Sequence, residues 1–237
     1  MMRAALHTLF LLASVNCYAQ KVIDIGNSNL PVTASLFYTV GGEPVNNAKY
    51  VKIVEGTPYF NEAWTKGKIM MQAGNVFDNV PMRLDLMDNS VHYQDKDRNE
   101  MIATSPIKSI TLTDAVTGNE YQFDHSLYLG ASGKIEPGWY EQLVTGTATL
   151  YKGFTKVINE NKPYGSAITE QIIKTSYYYF VMVNSVFTPV KRFKDLPGVL
   201  NDKKDELKNY ISTKNLPGRA DADYIAVISY YNSLVEK

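Results

Sequence analysis

Residues 67–113 determine the fold that the sequence predicts, and their centre reads Asn79-Val-Pro-Met-Arg-Leu-Asp-Leu86. Apolar side chains occupy every second position of that stretch, namely Val80, Met82, Leu84 and Leu86. A period of two is typical of a strand with one buried face and one solvated face. The alternation returns at 91–93 and 107–113, and the turn residues 88–90 separate the first two runs. The sequence therefore predicts an antiparallel β-meander.

Further strands are predicted on both sides of this meander. They cover Val22–Ile25, Leu36–Val40, Tyr50–Val54, Asn119–Phe123, Trp139–Tyr151 and Thr175–Val183. Gly146 interrupts the fifth of them, which indicates either a bulge or a hairpin turn. The last is apolar or aromatic at both alternating positions, which favours a central strand covered on each side.

Beyond Lys194 the apolar period lengthens to three or four residues, as in helices. A first stripe contains Leu200, Lys203, Leu207, Tyr210 and Ile211, and a second contains Tyr224, Val227, Ile228, Tyr231, Leu234 and Val235. Pro217-Gly218 ends the first helix, and Asp221 is placed to cap the second. We expect a mainly β (α+β) fold, a curved antiparallel sheet or partial barrel over 20–194, with two short C-terminal helices in 195–237 packed on the same domain.

Residues 1–19 have the pattern of a secretory signal peptide. A positive charge at Arg3 precedes an apolar run, and small residues precede a cut between Ala19 and Gln20. An alternative reading, in which Cys17 is the lipidated first residue of a lipoprotein, stays open. We expect export to the periplasm or the extracellular space, with no transmembrane segment in the mature chain. Removal of 1–19 takes away the single cysteine, so a hydrophobic core must stabilise the fold.

Charge composition argues against some classes of partner. Lys plus Arg and Asp plus Glu each number 24 in the 237 residues, while 45% of the chain is hydrophobic. A balanced charge gives no electrostatic reason to expect binding to nucleic acid or to an anionic membrane.

Motifs that would indicate chemistry are incomplete. Asp95–Asn99 matches the start of a calcium-binding EF-hand loop, but Glu100 replaces the required glycine and Pro106 replaces the final glutamate. We interpret it as a polar hairpin tip. Ser105 and Lys108 have the Ser-x-x-Lys spacing of penicillin-recognising enzymes without the accompanying Lys-Thr-Gly. The sequence predicts no metal and no cofactor.

Catalytic residues are not predicted either. Neither His92 nor His125 has a partner spacing that would suggest a zinc site or a triad, and His92 is expected at the surface, on the polar side of a strand. Strand alternation predicts that Asp85, Asp88 and Asp124 face solvent. Tyrosine and tryptophan can form platforms for glycans or peptides, and Trp64, Trp139 and Tyr140 flank loops. These three are the candidate binding residues, although aromatic residues in strands are more often part of a core.

Several segments together resemble uncharacterised exported proteins common in Bacteroidetes. They are 56–61 (Gly-Thr-Pro-Tyr-Phe-Asn), 79–86, 139–152 with its central glycine, and 228–234 (Ile-Ser-Tyr-Tyr-Asn-Ser-Leu). The resemblance covers most of 56–235 and consists of turn and packing residues. It implies an envelope or secreted role and supplies no catalytic residue.

Two classes of function remain open. The first is a non-catalytic envelope protein that binds a partner protein, a glycan or an apolar ligand, the last as a carrier in a β half-barrel. The second is a hydrolase whose site is assembled from residues that are scattered in the sequence. The first is favoured because no nucleophile–base spacing is visible. An apolar cavity would indicate a carrier, whereas converging carboxylates or a perturbed histidine in a cleft would indicate an enzyme.

Overall fold

The computed structural model describes residues 22–24, 42–44, 51–132 and 135–236. The predicted signal peptide, its cleavage site at Ala19 and Gln20, and the predicted strand Leu36–Val40 lie outside these residues. The strands are β1 (Val22–Asp24), β2 (Glu43–Pro44), β3 (Val51–Glu55), β4 (Thr65–Met71), β5 (Val76–Asp85), β6 (Ser90–Gln94), β7 (Glu100–Ile102), β8 (Ile107–Thr113), β9 (Glu120–His125), β10 (Trp139–Val144), β11 (Ala148–Asn161), β12 (Thr169–Val183) and β13 (Val186–Val190).

The strands form one curved, open, mixed sheet. Eleven of them follow the hydrogen-bonded order β13-β12-β11-β10-β9-β8-β4-β5-β6-β7-β2. The remaining two join from the side, β1 parallel to β5 and β3 parallel to β12. The expected mainly β fold with a curved sheet is confirmed, and two parallel pairings are added to the antiparallel meander. β1 and β3 reach neighbours that are distant in sequence, and no hairpin forces them to run antiparallel.

The predicted faces of the meander are confirmed for its apolar side. Val80, Met82 and Leu84 are fully buried, together with residues of β4, β6, β8 and β9, in a core on one face of the curved sheet. The prediction for Asp85 is wrong, because this residue is only 5% exposed. Its Oδ1 accepts hydrogen bonds from the backbone nitrogens of Met87 (2.8 Å) and Asp88 (3.0 Å) and so closes the turn after β5.

A hairpin turn at 145–147 separates β10 from β11, as one of the two readings of Gly146 predicted. The side chain of Asn232 approaches this turn so closely that a Cβ on Gly146 would lie 2.3 Å from its Nδ2. The absence of a side chain at Gly146 therefore leaves room for Asn232, in the helix Asp221–Val235, to reach the start of β11.

Only part of β12 is covered on both faces. Tyr179, Phe180 and Val181 are buried, but Tyr177 and Tyr178 are 53% and 37% exposed. The prediction of a strand covered along 175–183 is therefore wrong for its first half. Residues 175–178 pair with β11, whereas β3 pairs with residues 169–172 and β13 with residues 179–183.

Three helices follow the sheet, where the sequence predicted two. They are α1 (Leu196–Val199), α2 (Lys204–Thr213) and α3 (Asp221–Val235). The additional helix is a single turn with proline at its start, too short to show a period in the sequence. Within the described residues, none of the helices has the length and apolar character that crossing a bilayer requires.

The helices cover the part of the sheet formed by β11, β12 and β13. Leu207 of α2 and Val227 and Ile228 of α3 are fully buried against Leu150 and Val181, and this second core contains only residues from 143 onward. Asp221 is the first helical residue and not the cap, which is Ala220. Its carboxylate instead accepts hydrogen bonds from Lys152 Nζ (2.7 Å) and the Tyr179 hydroxyl (2.5 Å).

Candidate functional site

A cleft of about 620 Å³ lies between two parts of the curved sheet. One wall comes from β3 and the start of β12, and the other from β5, β6 and β7 together with the segment that leads into β4. The lining residues used below are Tyr59, Glu62, Arg83, Asp85, Asp88, His92 and Glu100. Arg83, Asp85 and His92 alternate with the core residues of their strands, so they stand on the opposite face of the sheet from the first core.

Glu100 is the centre of a hydrogen-bonded network in this cleft. Its Oε1 lies 2.6 Å from Arg83 Nη2, 2.6 Å from His92 Nδ1 and 3.2 Å from the Tyr59 hydroxyl. Register brings the partners together, because Arg83 and His92 are directly opposite each other on β5 and β6, and Glu100 is on the adjacent β7. One carboxylate oxygen thus organises side chains from three separate elements.

The network favours an ionised Glu100. Burial by itself raises the pKa of this carboxyl, but the hydrogen bonds from Arg83 and His92 outweigh burial and hold its pKa below the usual value. The pKa of Tyr59 is shifted in the opposite direction. Burial, reinforced by the negative charge of Glu100, raises the pKa of Tyr59 to about 12 in spite of the nearby Arg83. Tyr59 is therefore a neutral hydrogen-bond donor at neutral pH.

Arg83 is held by aromatic rings as well as by charge. Its guanidinium carbon lies 3.8 Å from the ring centroid of Tyr59 and 4.4 Å from that of Trp64. Its Nη1 donates to the backbone oxygen of Glu62 at 3.3 Å, and its buried Nε has no hydrogen-bond partner among the described residues. Stacking on aromatic faces stabilises a guanidinium where bulk water is excluded.

Ser90 extends the network by one step, since its Oγ lies 2.9 Å from His92 Nε2. Two expectations are therefore wrong. His92 is 4% exposed and not a surface residue, and a hydroxyl, an imidazole and a carboxylate do come together. The signal was present in the sequence, because Ser90 and His92 are two apart on one strand and share a face. Glu100 reaches them only through the hairpin pairing of β6 with β7.

The other carboxylates are not simple surface groups. Asp85 is buried at the turn after β5, and Asp88 is exposed beside it. Asp124 is on β9, where its Oδ2 accepts from the Tyr151 hydroxyl (3.0 Å) and from Gln142 Nε2 (3.3 Å). The prediction that all three face solvent is wrong for Asp85 and for the half-buried Asp124.

The three candidate aromatic residues do not share an exposed surface. Trp139 and Tyr140 are 5% and 3% exposed and belong to different cores, because consecutive residues of β10 point to opposite faces. Trp64 is half-buried and stacks on Arg83. Trp64 is thus the one candidate that contacts a residue of the cleft.

The polar hairpin tip predicted at 95–99 connects β6 to β7. Asp95 Oδ1 accepts from the backbone nitrogens of Asp97 and Asn99, both at 2.8 Å. These bonds form a compact turn and place Glu100 at the start of β7. In the described part of the chain, no group of three or more metal-ligating side chains could hold a metal ion.

A second polar cluster lies where the two cores meet. Glu141 and Lys152 are directly paired on β10 and β11, and Lys152 also binds Asp221. Glu141 is 6% exposed, and burial raises its pKa to about 7, an effect that Lys152 opposes and Asp221 reinforces. This cluster ties α3 to the sheet and lies outside the cleft lining.

No protein-family model matches this chain, and no match is found among curated proteins or solved structures.

Proposed function

We propose that the protein is an exported cell-envelope protein that binds a small, polar, amine-bearing ligand in the cleft beside Arg83 and Glu100. The observation that carries this proposal is the hydrogen-bonded network of Tyr59, Arg83, His92 and Glu100 in a cleft of about 620 Å³. Removing charged groups from water costs free energy of folding. Polar side chains that converge in a cleft are typical of ligand sites.

The charges around the cleft suggest which ligand fits. Arg83 is the one lysine or arginine in the lining, and it is matched by Glu100 at 2.6 Å. Glu62 also pairs with Arg83, at 3.7 Å, but the four carboxylates of the lining outnumber this single guanidinium, and Glu62 and Asp88 are exposed. A cleft lined by one sign of charge raises the local concentration of ligands of the opposite sign. Amino sugars and lysine-containing peptides have suitable groups.

An apolar-ligand carrier is less well supported. A carrier would hold its ligand against the apolar face of the sheet, but Phe60, Phe123 and Phe154 pack edge to face or tilted against one another there. The space is filled by side chains of the core.

The test measures binding of short glucosamine oligosaccharides by calorimetry at mildly acidic pH, with the N-acetylated oligosaccharides as uncharged counterparts. We expect the amine form to bind more tightly and its affinity to fall as salt is added. Glu62→Gln and Asp88→Asn together should weaken binding by roughly two- to tenfold, because each removes an exposed negative charge from the rim.

Asp97→Asn is the matched control, since Asp97 is an exposed carboxylate on the hairpin tip outside the cleft lining. It should leave the affinity unchanged. Equal affinities for the charged and acetylated sugars, or equal losses in the control and the cleft variants, would contradict the proposed ligand class.

Export is a separate part of the proposal, supported by the pattern of residues 1–19 and by the resemblance to exported proteins. Mass spectrometry of the protein purified from its native cells should give a chain that begins at Gln20. A lipid-modified chain that begins at Cys17 would support the lipoprotein alternative, and an intact Met1 would contradict export.

A further inference from the structure

We propose that the protein also has an acyl-transfer activity beside the cleft, with Ser90 as the nucleophile, His92 as the general base and Glu100 as the residue that orients His92. The substrate class is a small carboxylic ester. This inference goes beyond ligand binding in the cleft, because His92 and Glu100 line the cleft whereas Ser90 lines a neighbouring cavity.

The three side chains form a continuous chain of hydrogen bonds. Ser90 Oγ lies 2.9 Å from His92 Nε2, and His92 Nδ1 lies 2.6 Å from Glu100 Oε1. A nucleophile within hydrogen-bond reach of a base, which a third group orients, is the arrangement that activates serine in unrelated hydrolases. Such a site is recognised by geometry and not by the order of residues in the chain.

The network also determines which imidazole nitrogen is the base. Glu100 is held ionised by Arg83, so its carboxylate can only accept hydrogen bonds. His92 Nδ1 must then be the donor to Glu100. In the neutral imidazole the lone pair is left on Nε2, where it faces the Ser90 hydroxyl and can accept its proton.

Accessibility differs among the three residues in the way that the chemistry requires. His92 is 4% exposed, which keeps it from hydrogen bonding to bulk water. Ser90 is half-buried at the start of β6 and lines a second cavity, of about 210 Å³, together with Ser105 and His125, so a small substrate can reach it there. Its side chain is on the same face of the sheet as Asp85, which is directly opposite on β5 and lines the cleft.

The reaction balances without any further reagent except water. Ser90 Oγ forms a bond to the carbonyl carbon as its proton moves to His92 Nε2. The bond from that carbon to the alcohol oxygen breaks, and the alcohol leaves with the proton from His92. Water then attacks the acyl-serine, His92 accepts its proton and returns it to Ser90 Oγ, and a carboxylic acid is released.

The experiment uses a fluorophosphonate probe on the full, folded protein, with the modified residue located by mass spectrometry. The probe needs an activated serine: Oγ bonds to phosphorus, the phosphorus–fluorine bond breaks and fluoride leaves. We expect one adduct, at Ser90. Absence of an adduct at Ser90 in the folded wild-type protein would overturn the proposal.

Variants separate activation from mere exposure. Ser90→Ala should abolish labelling, and His92→Asn, which keeps an amide donor beside Glu100 but no base, should slow it by about 10²-fold or more. Ser105→Ala, at another partly exposed serine, should label like wild type. Labelling that persists at the same rate in a folded His92→Asn variant would sink the assignment.

Outcomes for binding and for chemistry are distinguishable. Amino sugars that bind while no serine is labelled would support the proposed ligand and contradict the activity. Labelling of Ser90 together with hydrolysis of p-nitrophenyl acetate, but no amino-sugar binding, would support the activity and contradict the ligand class.

Discussion

Individual residues of β5 illustrate how one strand serves two purposes. Leu84 is fully buried in the first core, and its neighbours Arg83 and Asp85 are on the cleft side. Because side chains alternate along a strand, a single ten-residue element supplies both the packing and the polar network.

Leu84→Asp should unfold the protein or destabilise it by more than about 3 kcal/mol, because it removes buried apolar area and buries an unpaired charge. The measurement is thermal and urea unfolding followed by circular dichroism. Val116→Asp is the control, since Val116 is 94% exposed and should tolerate the same change within about 0.5 kcal/mol. Similar melting temperatures for both variants would show that the faces of β5 are assigned wrongly.

Glu141 makes stability depend on pH in a predictable direction. Burial raises the pKa of this carboxyl to about 7 in the folded protein. Below the pKa of the unfolded chain the carboxyl is protonated in both states, so it does not lower the free energy of unfolding. As the pH rises through 7, the unfolded chain has already released the proton, and up to about 3 kcal/mol of stability is lost.

Glu141→Gln removes this dependence. The melting temperature of the variant relative to wild type should therefore be higher at about pH 8 than at about pH 4.5. Glu120→Gln, at an exposed position on β9, should show no such difference. A constant offset for Glu141→Gln between the two pH values would mean that this carboxyl is not perturbed.

At the scale of elements, one side chain joins α3 to the start of β11. Asn232 is 6% exposed, and its Oδ1 accepts from the backbone nitrogen of Ala148 at 2.8 Å while its Nδ2 donates to the Ala148 oxygen at 2.9 Å. The amide thus completes both hydrogen bonds of the first residue of β11.

Asn232→Ala should destabilise the protein by roughly 2–4 kcal/mol, because it leaves the buried nitrogen and oxygen of Ala148 without partners. Ser233→Ala is the control at the next, exposed position, where the hydroxyl bonds only the backbone oxygen of Tyr230 in its own helix. Urea denaturation measures both. An Asn232→Ala variant as stable as wild type would show that α3 is not held to the sheet in this way.

At the scale of the whole molecule, the helices are part of the fold and not an appendage. The second core shares its residues between β11, β12 and β13 on one side and all three helices on the other. A chain that ends at Lys194 would expose that face of the sheet, including Leu150 and Val181, which are fully buried in the intact protein.

We therefore expect the chain truncated after Lys194 to lose cooperative thermal unfolding and to bind hydrophobic dyes. Calorimetry and dye fluorescence check this, with a chain shortened only after Glu236 as the control. A sharp transition at the wild-type temperature in the shorter chain would mean that the sheet folds without its helices.

The sequence by itself determined the local structure: the meander, the turn residues at 88–90 and the hairpin tip at 95–99, the interruption at Gly146, the buried side of β5 and the two longer helices. Alternation and turn chemistry are properties of neighbouring residues, so they can be read without knowing what packs where. The short helix α1 and the exposed half of β12 were missed for the complementary reason. Their structure depends on what covers them.

Only the tertiary structure decided the parallel pairings of β1 and β3, and only it brought Tyr59, Arg83, Ser90, His92 and Glu100 together. Strand alternation predicts that the polar positions of β5 and β6 face solvent. It distinguishes one face of a strand from the other, but it does not indicate whether the polar face is open to bulk water or lines a cleft. A polar side chain on the outer face becomes part of a site only when another segment folds over it. That contact is made by residues 56–62 and by β3 and β12, and no spacing within β5 or β6 encodes it.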